Sequence, residues 1–202
     1  MRGAVLAGGN ASRFSGRPKG LEKVGGERIL DRVTQAIQEA TGEPPLLIAN
    51  EAKAGEWRPD LEVMHDAIRN CGSLGGIYTA LSAGPGPVVV VAWDMPFVPA
   101  DLLKELIQRA AAYDAVVPES KGSESDLEPL CAVYGPGCLS PIRNQFVDED
   151  FRAQGFLDAV RVGRLPYQDV ERFGEPDLMF FNVNTPDDLK QAQEHWKQVS
   201  KR

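Results

Sequence analysis

Three cations, Arg13, Arg17 and Lys19, stand between Asn10 and Leu21 with no acid among them, in a chain where acidic residues outnumber basic ones 29 to 22. This stretch directly follows Leu6-Ala7-Gly8-Gly9. Gly8 and Gly9 let the backbone approach a ligand closely and aim N–H donors at it, while Arg13 and Lys19 can neutralise oxygens of a polyphosphate. The segment therefore reads as a phosphate cradle; the alternative is a surface turn whose charges are simply solvated. Two better-known cradles do not apply. G-x-G-x-x-G is absent, and G-x-x-x-x-G-K-[ST] fails because Pro18 precedes Lys19 and Gly20 follows it.

A second candidate is Asp94, in Ala92-Trp93-Asp94-Met95-Pro96 after the run Val88-Val89-Val90-Val91. In open α/β sheets ligands bind beyond the carboxyl ends of the strands, so a carboxylate there faces the same crevice as the loop after the first strand. It suits a hard cation such as Mg²⁺, which takes one or two protein carboxylates and completes its shell with phosphate oxygens and water. A turn aspartate ahead of Pro96 is the competing role. Asp66 similarly ends Val63-Met64-His65-Asp66, before the glycine-rich Cys71-Gly72-Ser73-Leu74-Gly75-Gly76-Ile77 that opens a helix. It can accept from a base N–H or a sugar hydroxyl, or merely hold a turn. Asn182 and Asn184, in Phe180-Phe181-Asn182-Val183-Asn184-Thr185-Pro186, share one side if the segment is extended. Their amides either bind a second, polar substrate or hold the turn before the last helix.

These residues need a scaffold, and the sequence supplies two alternating periods: short β-branched runs and longer stretches of helical spacing. Strands are expected over 4–7, 46–49, 61–64, 88–92 and 115–117, with 130–134 a further candidate. The unbroken valines of 88–91 suit a central strand buried on both faces. Ile29, Leu30, Val33 and Ile37 share a helical face, as do Leu102, Leu103, Leu106, Ile107 and Ala110. Thr185 caps a last helix with Pro186 in its first turn and Asp187 and Asp188 at its positive end, running to about Val199. The polar stretch 119–126 reads as a mobile surface loop, and Phe156, Leu157 and Val160 suggest a short helix within 138–173.

Composition excludes several classes. At 202 residues, 43% hydrophobic and 25% charged, the chain is expected to form one domain over 1–202 with a real core. A net charge of -7 and a pI near 5.0 argue against general attraction to nucleic acid or anionic membrane. Cys71, Cys131 and Cys138 form no C-x-x-C pair and read as reduced thiols. The apolar run at the start is too brief for a signal segment, and nothing approaches a membrane span, so a cytoplasmic location is expected. His65 and His195 form no set with a marked Ser or Cys, and His195 reads as a solvated surface residue. Trp57, Trp93 and Trp196 are too scattered along the chain for a base-stacking platform and read as packing residues.

In order and spacing, these segments resemble the MobA-like nucleotidyltransferases, and most closely the molybdenum cofactor guanylyltransferases. The matching pieces are Leu6 to Gly9 with Ser12-Arg13-Phe14, Pro18-Lys19-Gly20-Leu21, Asp66, Gly72 to Ile77, Asp94-Met95-Pro96 and Asn182-Val183-Asn184-Thr185-Pro186. The resemblance implies a Rossmann-like three-layer α/β fold with a mostly parallel central sheet. It implies transfer of GMP from Mg-GTP to the terminal phosphate of molybdopterin, with release of pyrophosphate. Carried over by position, Leu6, Ala7, Gly8, Gly9 and Lys19 contact the nucleotide and Asp66 helps bind it. Asp94 binds both nucleotide and Mg²⁺, with Arg13 and Lys19 acting on the phosphates. Asn182 and Asn184 belong to the pterin side, and Asn50 is the nearest match to an asparagine that follows the family's second strand. The implied partners are GTP, molybdopterin and the maturation proteins of molybdoenzymes. Ser73 and Gly75 stand where the family often has Pro and Ala, which should loosen that loop, and Trp93 stands where a smaller residue is common. Two other readings compete: a cytidylyltransferase or other nucleotidyltransferase of the same fold, and a non-catalytic nucleotide- or cofactor-binding assembly module.

Overall fold

The computed structural model describes residues 1–8, 18–121 and 126–200. Its strands are β1 (Arg2–Ala7), β2 (Lys23–Val24), β3 (Glu27–Arg28), β4 (Leu46–Ala49), β5 (Val63–Met64), β6 (Val88–Ala92), β7 (Ala115–Pro118), β8 (Cys131–Tyr134) and β9 (Val162–Leu165). Its helices are α1 (Ile29–Thr41), α2 (Ala54–Trp57), α3 (Gly72–Ser82), α4 (Ala100–Arg109), α5 (Leu139–Val147), α6 (Tyr167–Val170), α7 (Pro176–Met179) and α8 (Pro186–Val199). Seven strands form one sheet in the order β5-β4-β1-β6-β8-β7-β9, and β2 and β3 pair separately as a hairpin. All pairings in the large sheet are parallel except those of β8, which runs antiparallel to both β6 and β7.

The pleat sorts the apolar residues into two cores. Val5, Leu47, Val89 and Val91 point to the face covered by Ile29, Leu30, Val33 and Ile37 of α1 and by Leu102, Leu103 and Leu106 of α4. Their neighbours Ala4, Leu6, Ile48, Val88 and Val90 point to the opposite face, covered by Leu74, Ile77 and Leu81 of α3 and Ile142 of α5. Because successive side chains of a strand alternate, a strand between two helix layers must be apolar throughout, and all five residues of β6 are buried. The result is the three-layer α/β arrangement. α1 stops at Gly42, whose φ of 82° is open to glycine at little cost, and the Gly42 N–H caps the helix on Gln38 O at 2.8 Å.

Several expectations change at their edges. The strand expected over 61–64 shortens to β5, because Leu61 N–H closes a turn on Arg58 O at 3.0 Å. The expected 115–117 extends to Pro118, and 130–134 becomes β8. The stretch 119–126 is tied at both ends: Glu119 bridges Leu127, and Ser120, which is buried, donates its N–H to Asp126 O at 2.9 Å. It starts as the stem of the hairpin joining β7 to β8. Phe156 and Leu157 lie in a 3-10 turn, Gly155–Ala159, between α5 and β9. His195 is half-buried and sets its ring edge-on to Phe181, with centroids 5.6 Å apart, so it is not the freely solvated residue expected. Among the described residues no helix is long and apolar enough to cross a membrane.

Candidate active site

From β1 the chain moves outward through β4 to β5, then returns to the other side of β1 as β6. Connection direction reverses between β1 and β6, the switch point beyond whose strand carboxyl ends open α/β sheets bind their ligands. The buried residues Leu6 and Ala7 end β1, and exposed Gly8 follows. A Cβ on Gly8 would meet no described atom within 4 Å. Gly9 and Arg13, together with Arg17, lie outside the described residues.

The chain returns to this switch point at Pro18, and a single 3-10 turn, Lys19–Leu21, aims Lys19 at Asp94. The turn is held by Leu21 N–H on Pro18 O at 3.0 Å and Glu22 N–H on Lys19 O at 3.1 Å. The Lys19 ammonium donates to Asp94 Oδ2 and, at 2.7 Å, to Asn184 Oδ1. The side chains of Lys19 and Asp94 are only 15% and 11% exposed, so this pair is largely removed from water. An ammonium has three donors, and two are thereby engaged. Asp94 Oδ1 is buried with no hydrogen-bond partner among the described residues. A desolvated carboxylate oxygen of this kind fits a cation. Among the described residues no three acidic, histidine or cysteine side chains converge as a metal cage, so a cation at Asp94 would need oxygens from a ligand or water.

Asn184 reaches Lys19 because the segment before α8 is fastened to the sheet. Val183, fully buried, donates its N–H to Asp94 O at 2.9 Å. Thr185 and Asp188 form a reciprocal capping box, and Asp188 Oδ2 also accepts the Asn184 N–H at 2.9 Å. Asn182 instead turns back, donating its amide to Phe180 O at 3.0 Å. Backbone bonds thus place residues 90 positions apart in sequence on one ammonium.

A second cluster lies at the ends of β4 and β5. Asn50 donates its amide to Asp66 Oδ2 at 2.7 Å, and Asp66 N–H donates to Asn50 Oδ1 at 3.0 Å, a two-way clamp at the surface. Ala67 N–H is held on the buried Thr79 hydroxyl at 2.9 Å, which ties this turn to α3. A Cβ on Gly75 would lie 3.1 Å from Ile68 O and 3.7 Å from Asp66 Cγ. The glycine expected to loosen this loop instead lets the Asp66 turn pack closely on α3.

One carboxylate within reach of the charge of Asp94 carries no mark in the sequence pattern. Glu128 precedes β8, with its N–H on Pro118 O at 2.9 Å and its Oε1 accepting from Leu130 N–H at 3.3 Å. Burial pushes its carboxyl up to about 7, the Leu130 N–H opposes this, and the charge of Asp94 adds to it. The available signal is Glu128-Pro129 just ahead of an apolar run. The rule that sites lie at carboxyl ends of strands passes over it, because β8 is antiparallel and brings its beginning to the carboxyl end of β6.

Over residues 3–164 the chain matches the MobA-like NTP transferase domain. It belongs to that family. As a MobA-like transferase it is a nucleotidyltransferase, and its relatives agree. It is 34% identical over 94% of its length to a protein of Pelotomaculum thermopropionicum named a probable molybdenum cofactor guanylyltransferase, covering 90% of that protein. It is 30% identical over 96% of its length to the molybdenum cofactor guanylyltransferase of Desulfosudis oleivorans, covering 94% of that protein. Its fold is similar to the crystal structure of molybdopterin-guanine dinucleotide biosynthesis protein A from Archaeoglobus fulgidus, with a TM-score of 0.81 and 28% identity over 98% of this chain and all of that one.

In this MobA-like chain the structure brings Lys19, Asp94 and Asn184 together and pairs Asp66 with Asn50. Leu6 and Ala7 end β1 within the two cores, and Gly8 follows them at the same end of the sheet. Asn182, expected to act alongside Asn184, has its amide engaged within its own turn.

Proposed function

We propose that this MobA-like transferase moves GMP from Mg-GTP to the terminal phosphate of molybdopterin, forming the guanine dinucleotide cofactor and pyrophosphate. The observation that carries the reading is the Lys19 ammonium bridging Asp94 and Asn184 at the sheet's switch point, with one Asp94 oxygen left bare: an ammonium to face a triphosphate beside a carboxylate for its cation. Choice of substrates rests on the relatives named as guanylyltransferases of the molybdenum cofactor.

The chemistry asks little of a base. A phosphate monoester is largely dianionic at neutral pH because its second pKa is near 6, so the attacking oxygen needs no proton removed. The barrier lies in bringing two anions together and accommodating charge on departing pyrophosphate. Lys19 turns its remaining N–H toward the phosphates, with Arg13 and the Gly8-Gly9 backbone as further donors. Asp94 Oδ1 would hold Mg²⁺, which supplies charge neutralisation across the phosphate oxygens when bound. Asp66, clamped by Asn50, accepts from the base or the ribose, and Asn182 and Asn184 line the side where molybdopterin enters.

The test is product formation by purified protein with Mg²⁺, molybdopterin and GTP, CTP or ATP, followed by pyrophosphate release and chromatography of the dinucleotide. Pyrophosphate release that needs both GTP and molybdopterin is the expected result. Release with CTP instead would move the assignment to cytidylyl transfer, and binding without turnover would favour the non-catalytic assembly role. Thermal unfolding is the quicker check, since a ligand at 100 times its Kd adds about 2.7 kcal/mol, a melting shift of several degrees at this chain length.

A further inference from the structure

Trp93 directly precedes Asp94 at the end of β6. Its indole is engaged on every side. The indole N–H donates at 3.2 Å to the carbonyl of Gly8, the last described residue before 9–17. Its benzo ring lies against Gly20, next to Lys19 in the 3-10 turn: a Cβ at Gly20 would fall 2.2 Å from the ring. The Trp93 backbone N–H donates to Leu6 O at 3.1 Å. Behind it the ring stacks on Trp57, with centroids 5.3 Å apart and planes 22° from parallel, and both indoles are buried. The two tryptophans that look unrelated in sequence are one unit. Trp93 and Asp94 are consecutive, and their side chains meet the Lys19 turn at different points. Asp94 meets the Lys19 ammonium, and Trp93 meets the backbone at Gly20 and, at the end of β1, at Gly8.

From this geometry we infer that Trp93 is a positioning residue, an indole clamp that holds the end of β1 and the Lys19 turn at a fixed separation and so presents Lys19 beside Asp94. The indole is suited to this because it couples a large flat surface to a single fixed donor. A Lys19 turn fixed before the ligand arrives costs less to order on binding, so the effect belongs to nucleotide affinity more than to the chemical step. Gly20 is the complementary half, since only a residue without a Cβ lets the backbone lie on the ring.

The inference rests on the Lys19 turn's being part of the nucleotide site, so its test has one arm that needs no nucleotide. Hydrogen exchange of the unliganded wild type is compared with that of Trp93→Phe, which keeps an aromatic ring but removes the N–H donor and the benzo contact, and of Gly20→Ala. The expected result is faster exchange at the amides of Leu21 and Glu22, about fivefold, the scale of one net hydrogen bond. Those of β6 and α4 serve as the internal reference, corrected for any global loss of stability. The second arm measures kinetics with the nucleotide the wild type uses: KM for it rises about three- to tenfold and kcat stays within about twofold. Exchange that rises uniformly across the protein would overturn the clamp and leave Trp93 an ordinary core residue. Unchanged exchange at 21–22 would overturn it equally. If no nucleotide is turned over, the guanylyl reading fails while the exchange data still decide the clamp.

Discussion

Two clusters at the carboxyl ends of the sheet's strands hold their carboxylates in opposite ways. Asp94 is buried, paired with an ammonium and left with one bare oxygen; Asp66 sits at the surface, paired with a neutral amide that returns a hydrogen bond to its own backbone. A desolvated charge acts strongly on whatever replaces water around it, whereas a solvated carboxylate chiefly contributes direction. The first cluster is therefore built to move charge and the second to recognise a shape.

That contrast orders the expected effects. Lys19→Ala and Asp94→Ala should each lower turnover by about 100-fold or more, the scale of one preorganised electrostatic group. Steady-state rates on variants whose circular dichroism is native check this; near-normal rates in both would remove the charge-handling role. The fastening of Val183 to Asp94 uses the backbone carbonyl, so the link between β6 and the segment before α8 survives either substitution. Asp66→Ala should raise KM for the nucleotide about tenfold, a loss near 1.4 kcal/mol, while kcat changes little. A fall in kcat as large as that of Asp94→Ala would erase the distinction between the clusters. Asn50→Ala removes only the group that orients Asp66, and titration of nucleotide binding by calorimetry should show a loss of about threefold, within the range of one hydrogen bond.

The last effect concerns Glu128; it is read in stability rather than activity, and it depends on pH. Its pKa is raised from 4.5 to about 7 in the folded protein, so between those values the folded state binds more proton than the unfolded one. Stability from this group is fully present below about 4.5 and is lost as pH rises through about 7. Glu128→Gln should thus melt higher than wild type at pH 8 in chelator, by about 2 to 4 °C, and close to it at pH 4.5. An equal difference at both values would mean the carboxyl is not desolvated.

Legibility follows periodicity. β6 and the inward faces of α1 and α4 are plain because a doubly covered strand is apolar throughout and an amphipathic helix repeats every three to four residues. α8 is plain because its first turn carries a complete cap, although the return bond from Asp188 emerges only with the structure. β9, Val-Gly-Arg-Leu at the sheet's edge, has too few apolar residues to announce itself, and it exists because β7 offers it a parallel partner. The candidates Lys19, Asp66, Asp94 and Asn184 are visible as residue types beside strand ends and turns. Glu128 is not, because an antiparallel strand inverts which end faces the ligand.

Residue order alone was enough for the alternation of strands and helices, for the doubly buried valine strand, and for a cationic segment beside a strand-end aspartate. Those depend on local pattern and on the composition of short stretches. It took the folded chain to put Asn184 on the same ammonium as Asp94, to stack Trp57 and Trp93 against the Lys19 turn, and to half-bury Glu128 within reach of the charge of Asp94. Each is a contact between segments far apart in the chain, fixed by strand order and by the backbone bonds that fasten loops to the sheet, and no local period encodes a distance across the sheet.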